Sequence, residues 1–114
     1  MNRLALLRAL LRYSSSLGPL VSYATAIYSS PNWAGRIEPQ YELTKIAYPI
    51  LDELHEELSK VSVLSIEHQA VAVTEAEDGL RVAAVGAGVD FEKIINTLLP
   101  LLIQLYQLWQ SKKG

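Results

Sequence analysis

The chain has 114 residues, of which half are hydrophobic and only 19% are charged, and its formal net charge is −2. This length fits one small domain, and the apolar content argues against disorder of the whole chain. The absence of cysteine excludes disulfides, thiolate catalysis and cysteine-ligated metal centres. The nearly neutral charge gives no electrostatic basis for nucleic-acid binding, so no specific nucleic acid is predicted as a partner.

The charges are unevenly distributed along the chain. All twelve acidic residues lie between Glu38 and Glu92, whereas the segment before them carries arginines and the segment after them carries lysines. In a short chain, local chance explains such a pattern. The alternative is that both ends face an anionic partner or the acidic middle of a neighbouring copy.

The first sixteen residues predict a basic amphipathic helix or arm, followed by a single small domain over 17–114. Leucines recur in this segment at helical spacing, and two arginines share the opposite side. These residues are Leu4, Leu7, Leu11, Arg8 and Arg12. Ser14–Ser16 and Gly18-Pro19 are expected to end the helix.

This segment resembles a mitochondrial targeting presequence, because it is rich in leucine and arginine, then in serine, and lacks acids. Arg12-Tyr13-Ser14-Ser15 is similar to a processing site with arginine at position minus two. The resemblance covers about the first fifteen residues and implies a mitochondrial location. An ordinary amphipathic terminal helix is the other interpretation, so the localisation stays open between a mitochondrion, a virion or assembly, and a membrane.

The next element, Leu20 to Tyr28, suits either a short helix or a strand, because its apolar positions fit both periods. Ser29 to Asn32 then predicts a break in the chain. Trp33 follows in a loop, where a tryptophan either plugs the edge of a core or anchors an interface.

Tyr41 to Val61 predicts the clearest amphipathic helix. Its acidic run, 52–57, is expected on the solvent side. Pro49 predicts a kink, or the start of a second helix with proline in its first turn. The expected buried stripe consists of Leu43, Ile46, Ala47, Ile50, Leu51, Leu54 and Leu58.

Residues 69–85 predict a β-hairpin. Two valine-rich runs, Ala70 to Thr74 and Leu80 to Val85, flank the strong turn signal Asp78-Gly79. The alternative is an alanine-rich helix from Ser65 to Glu77 that stops at Gly79.

The chain ends in a long apolar helix over 91–111. Asp90 is the expected N-cap, and Val89 and Ile94 have the spacing of a hydrophobic staple. Pro100 is expected to bend the helix.

This last helix needs a partner surface, because about two-thirds of its circumference is apolar. A narrow neutral stripe on the remaining side favours a helix buried in a protein assembly. The stripe consists of Asn96, Thr97, Gln104, Gln107 and Ser111. A membrane-spanning or interfacial helix is the alternative, since about twenty residues give the ~30 Å that a bilayer requires.

No sequence pattern predicts catalysis, a cofactor or a metal. Gly86-Ala87-Gly88 belongs to an incomplete dinucleotide-binding motif and is interpreted as a turn, because the chain lacks room for a second strand. Asp52 and His55 have the spacing of a ligand pair, but one pair does not make a di-metal bundle. No Gly-x-Ser-x-Gly elbow is present.

We therefore expect a mainly α protein, a small helical domain with kinked amphipathic helices and a β-hairpin. The expected function is a non-enzymatic structural or assembly subunit of a homo-oligomer or larger complex, for example a virion, acting through helix packing. The alternatives are a membrane-associated organellar subunit or a pore or lysis factor, and a regulatory binding module. The predicted interface residues are Leu4, Leu7, Leu11, Ile94, Ile95, Leu98, Leu101, Leu102, Leu105, Leu108 and Trp109.

Overall fold

The computed structural model describes residues 2–29 and 37–113, with side chains described for 2–29 and 41–111, and shows five helices and no strand in these ranges. The mainly α class is confirmed. The first four helices are α1 (Arg3–Arg12), α2 (Leu17–Ser29), α3 (Ile37–Val61) and α4 (Ile66–Ala87). The last, α5 (91–113), consists of an α-helical turn (Phe91–Lys93), a π-helical turn (Ile94–Leu98) and an α-helix (Leu99–Lys113).

Helix α1 lies at the centre of the bundle, between α3 and α4. Asn2 caps it by accepting a hydrogen bond from the backbone amide of Ala5 at 3.1 Å. Six of its ten residues are buried, which is a wider apolar face than the leucine spacing alone predicted. The first sixteen residues and the rest of the chain therefore share one core.

Helix α1 ends at Arg12, just before the serines that were predicted to end it. A short 3-10 turn, Ser14–Ser16, leads directly into α2, whose first turn contains Gly18 and Pro19. Proline is tolerated there because the first amides of a helix need no intrahelical acceptor. Leu20 to Tyr28 is therefore helical, which confirms the helix and excludes the strand for this segment. Trp33 lies outside the described residues.

Helix α3 runs through Pro49 without ending, so the prediction of a second helix starting there is wrong. Pro49 is exposed, which keeps its ring away from the core. The predicted stripe is confirmed: five of its residues are buried, and Ile46 and Leu58 pack against them partly exposed.

Residues 69–85 are helical, so the predicted β-hairpin is wrong. Ser65 caps α4 by accepting from the amide of His68 at 3.1 Å. The helix then passes through Asp78-Gly79, so the alternative stop at Gly79 is also wrong. Three small or apolar residues spaced four apart face the core, and this burial overrides the strand propensity of the valines. They are Ala76, Leu80 and Ala84.

The true end of α4 is Gly88, which has a φ of 70°. The amide of Gly88 donates to the Val85 carbonyl at 3.1 Å, and that of Val89 donates to the Ala84 carbonyl at 3.0 Å. These two bonds form a Schellman motif, which needs a left-handed residue and so favours glycine. The Gly86–Gly88 segment is thus a helix end and turn, as interpreted from the sequence.

Asp90 is the N-cap of α5, as predicted, and accepts from the amide of Glu92 at 3.0 Å. Ile94 is buried and Val89 packs partly exposed against the core. The irregularity expected at Pro100 takes the form of the π turn just before it, in which the Leu99 amide donates to the Ile94 carbonyl. The wider turn accommodates a proline, which lacks an amide hydrogen and crowds the carbonyl four residues earlier.

Candidate interaction surface

Most of the predicted interface residues lie inside the protein. Three of the eleven are partly exposed, namely Leu11, Ile95 and Leu105, and Leu108 is 62% exposed. The other seven are buried in the core of the same chain. Those seven side chains belong to the hydrophobic core that the helices of this chain form together.

The neutral stripe of α5 lies on its solvent side. Asn96, Gln104, Gln107 and Ser111 are exposed and Thr97 is half-buried, while the opposite side packs into the core. The sequence therefore identified correctly which side of α5 faces away from the core.

The arginines of α1 contact acidic residues of the same chain. Arg12 places one guanidinium nitrogen, Nη2, 2.8 Å from Glu57 Oε1 and the other, Nη1, 3.3 Å from Glu53 Oε1. Arg8 Nη1 lies 3.7 Å from Glu57 Oε2, and Arg3 Nε lies 3.0 Å from Glu77 Oε1. The basic start of the chain thus faces its own acidic middle.

Glu57 was expected on the solvated side of α3, and this prediction is wrong. Its side chain is 1% exposed, because α1 covers it. Lys60 Nζ, at 3.9 Å from Oε1, adds a third cation near the carboxylate. A buried carboxylate with these partners holds α1 against α3, since losing a partner would leave a charge in a low-dielectric interior.

His55 contacts two aromatic residues of α5. Its Nδ1 lies 2.9 Å from the Tyr106 hydroxyl, and its ring lies 5.5 Å from that of Trp109, centre to centre. Burial raises the pKa of the Tyr106 hydroxyl, so the phenol is neutral and can donate to Nδ1. This contact fixes the C-terminal half of α5 on α3.

The His55 cluster shows no metal-binding arrangement. Within 2–29 and 37–113, no group of three or more histidine, cysteine or acidic residues is placed to hold a metal ion. Asp52 and His55 lie about one turn apart on α3, and Nδ1 of His55 contacts the Tyr106 hydroxyl.

A small apolar groove of about 200 Å³ lies between α2, α3 and α5. Two exposed residues of α5, Leu108 and Gln104, contribute to its lining. The remaining lining residues include Ile27, Leu43, Leu51, Leu101 and Leu105.

Exposed aliphatic side chains are concentrated on α4 and the turn before it. Within the described part of the chain, every large aliphatic side chain that is more than half exposed belongs to positions 63–85, apart from Leu108. These residues and their exposures are Val63 82%, Ile66 84%, Val71 59%, Val82 74% and Val85 81%. Val71, Val82 and Val85 lie on the side of α4 opposite Leu80, and we call these three residues the α4 outer face.

The α4 outer face was missed in the sequence because its valines were interpreted as strand residues. The Ser65 cap and the four-residue spacing of Ala76, Leu80 and Ala84 are the signals that point to a helix. On that helix the valines fall opposite the buried positions, so a helical interpretation exposes them.

No family model matches the chain, and neither does a curated protein or a solved structure. Among the described helices, none has both the length and the hydropathy required to span a membrane.

Proposed function

We propose that this protein is a non-enzymatic structural or assembly subunit that joins a homo-oligomer or larger complex through helix packing. The contact surface is the α4 outer face. The observation that supports this proposal is the concentration of exposed branched aliphatic residues on one helix, with Val85 at 81% and Val82 at 74%.

Exposed valines on a helix carry a cost. Valine is a poorer helix former than alanine or glutamine, because its branched side chain loses rotamer freedom against the preceding turn. Each valine also leaves apolar surface in water, at about 25 cal/mol per Å². A partner that covers these side chains recovers this free energy.

The position of α4 in the bundle suits this role. The helix packs mainly on α1 and buries few of its side chains, so it is an outer element of the fold. A partner can therefore dock on α4 without displacing a neighbouring helix. The core of α1, α3 and α5 acts as the scaffold that presents it.

The double substitution Val82→Gln with Val85→Gln tests the proposal. We expect the unmodified protein to sediment as a species larger than the monomer, and the variant to shift towards the monomer. Glutamine is a good helix former, so circular dichroism should show an unchanged helix content.

Leu108→Gln is the matched control, because Leu108 is the exposed member of the interface predicted from the sequence. It should leave the sedimentation unchanged. If Leu108→Gln dissociates the assembly and the α4 variant does not, the contact surface lies on α5. A protein that remains monomeric at high concentration and binds no hydrophobic dye would contradict the proposed function itself.

A further inference from the structure

We infer that the α4 outer face pairs with the same face of a second copy, with the two helices antiparallel and the two-fold axis at Thr74. This inference rests on the proposed function and specifies its partner. It is carried by the arrangement of charges along α4, together with the exposure of the valines beside them.

Glu67, Thr74 and Arg81 lie seven residues apart and are all exposed. Seven residues make about two helical turns, so the three side chains share one side of α4. A two-fold axis through Thr74 reverses the direction of the second helix. Glu67 of each copy then lies opposite Arg81 of the other, which gives two ion pairs of opposite charge. Two further exposed acids lie on this side of α4: Asp78 comes opposite Ala70, and Glu75 lies beside the axis at the edge of the contact.

The charge pattern distinguishes this arrangement from a parallel one. In a parallel pair, Glu67 would face Glu67 and Arg81 would face Arg81, and like charges at such short range repel. Glu67 is exposed and makes no ion pair within the described residues. The antiparallel pair is thus the complementary arrangement.

Apolar side chains lie beside these charges. Val71 follows Glu67 by four residues and Val85 follows Arg81 by four, so both extend along the same side of the helix. Val85 of one copy comes near the turn that precedes α4 in the other, where Val63 is 82% exposed. Burial of these valines supplies the association energy, and the ion pairs set direction and register.

Thr74 is suited to the position on the axis. Its hydroxyl donates to the carbonyl of Ala70 at 3.3 Å, so burying it leaves no donor without a partner. Arg81 is also partly held in place, because its guanidinium carbon lies 4.0 Å from the centre of the Phe91 ring. One helix side per copy is a small contact, so the dimer should depend on concentration.

Single cysteine variants test the register, because the natural chain contains no cysteine. Thr74→Cys places two thiols at the axis, and we expect most of the protein to form a disulfide-linked dimer under mild oxidation. The matched control is Asp78→Cys, also exposed on α4. Its two thiols would be offset by about 12 Å along the helices, beyond the ~7 Å limit for a disulfide.

Charge reversal tests the ion pairs. Glu67→Arg and Arg81→Glu should each weaken the dimer about tenfold, since each places like charges opposite one another twice. An equimolar mixture of the two variants should recover the original sedimentation, because the heterodimer pairs Arg with Glu at both sites. Circular dichroism of each variant confirms that the fold is retained.

The outcomes separate this inference from the proposed function. If the protein assembles but Thr74→Cys forms no more disulfide than Asp78→Cys, the antiparallel pairing is wrong and assembly uses another contact. If the protein is a monomer that binds a hydrophobic dye through Val82 and Val85, self-pairing is wrong and α4 docks on a different protein. A monomer without dye binding contradicts both.

Discussion

Helices α1 and α4 pack on each other, yet the apolar residues of α1 are mostly buried and many of those of α4 are exposed. α1 buries six of its ten residues, and its arginines pair within the chain. α4 is more than twice as long and buries three, while four of its valines and isoleucines stand exposed. The segment that looked most like an independent arm is the centre of the core, and the segment that looked like a hairpin is the outer surface. The local pattern of a helix does not show which neighbours cover it.

Among the variants that compare α1 with α4, the removal of one buried leucine from α1 should have the largest effect on stability. Leu7→Ala should lower the free energy of unfolding by about 3–5 kcal/mol, because Leu7 is fully buried and its truncation leaves a cavity. Val85→Ala in α4, measured at low protein concentration, should change it by less than about 0.5 kcal/mol. Denaturant unfolding of both variants gives the two values, and equal losses would show that α4 is as well covered as α1.

Removal of an ion pair of α1 should have the next largest effect on stability. Arg12→Ala should cost about 1–3 kcal/mol, because Glu57 is buried and loses its nearest cation, although the arginine itself is half exposed. Arg3→Ala, which removes the more exposed pair with Glu77, should cost about 0–1 kcal/mol.

Adding Glu57→Leu to Arg12→Ala should restore part of the lost stability, since it removes the uncompensated buried charge. Thermal unfolding in matched buffers measures all three variants. If the double variant is less stable than Arg12→Ala alone, the remaining contacts of Glu57 with Arg8 and Lys60 matter more than the pair with Arg12.

Alanine substitutions at Gly79 within α4 and at Gly88 just after it should give the smallest changes in stability, with opposite signs. Gly88→Ala should destabilise by about 1 kcal/mol, because the residue has a φ of 70°. Gly79→Ala should stabilise by about 0.5–1 kcal/mol, since a helix interior favours alanine. A β-carbon there would lie 3.6 Å from Leu11, an ordinary contact distance. A loss of stability in Gly79→Ala would show that α1 and α4 are packed too tightly for a methyl group.

The elements that the sequence predicted well are those whose signals lie within the element. The stripe of α3, the Asp90 cap and the polar side of α5 each follow from residues a few positions apart in the same segment. Such signals depend on helical geometry alone, so they do not require knowledge of the tertiary contacts.

The failures concern residues whose environment comes from distant segments. Glu57 is buried by Arg12, which lies 45 positions away, and an acidic residue beside a hydrophobic stripe is normally solvated. The valines of α4 have strand propensity, and the packing of α4 on α1 favours the helix over the strand. Seven of the eleven predicted interface residues are buried within the chain itself for the same reason, while their role in an interface stays a prediction.

The central place of α1 has a consequence for synthesis. The pair between Arg3 and Glu77 joins residues 74 positions apart, so at about 5–20 residues per second α1 waits on the order of 4–15 s before α4 exists. During that interval the side of α1 that packs on α4 has no native cover and can bind chaperones or other nascent chains. Slower translation across residues 62–87 should therefore lengthen the time for which this side of α1 is exposed to aggregation.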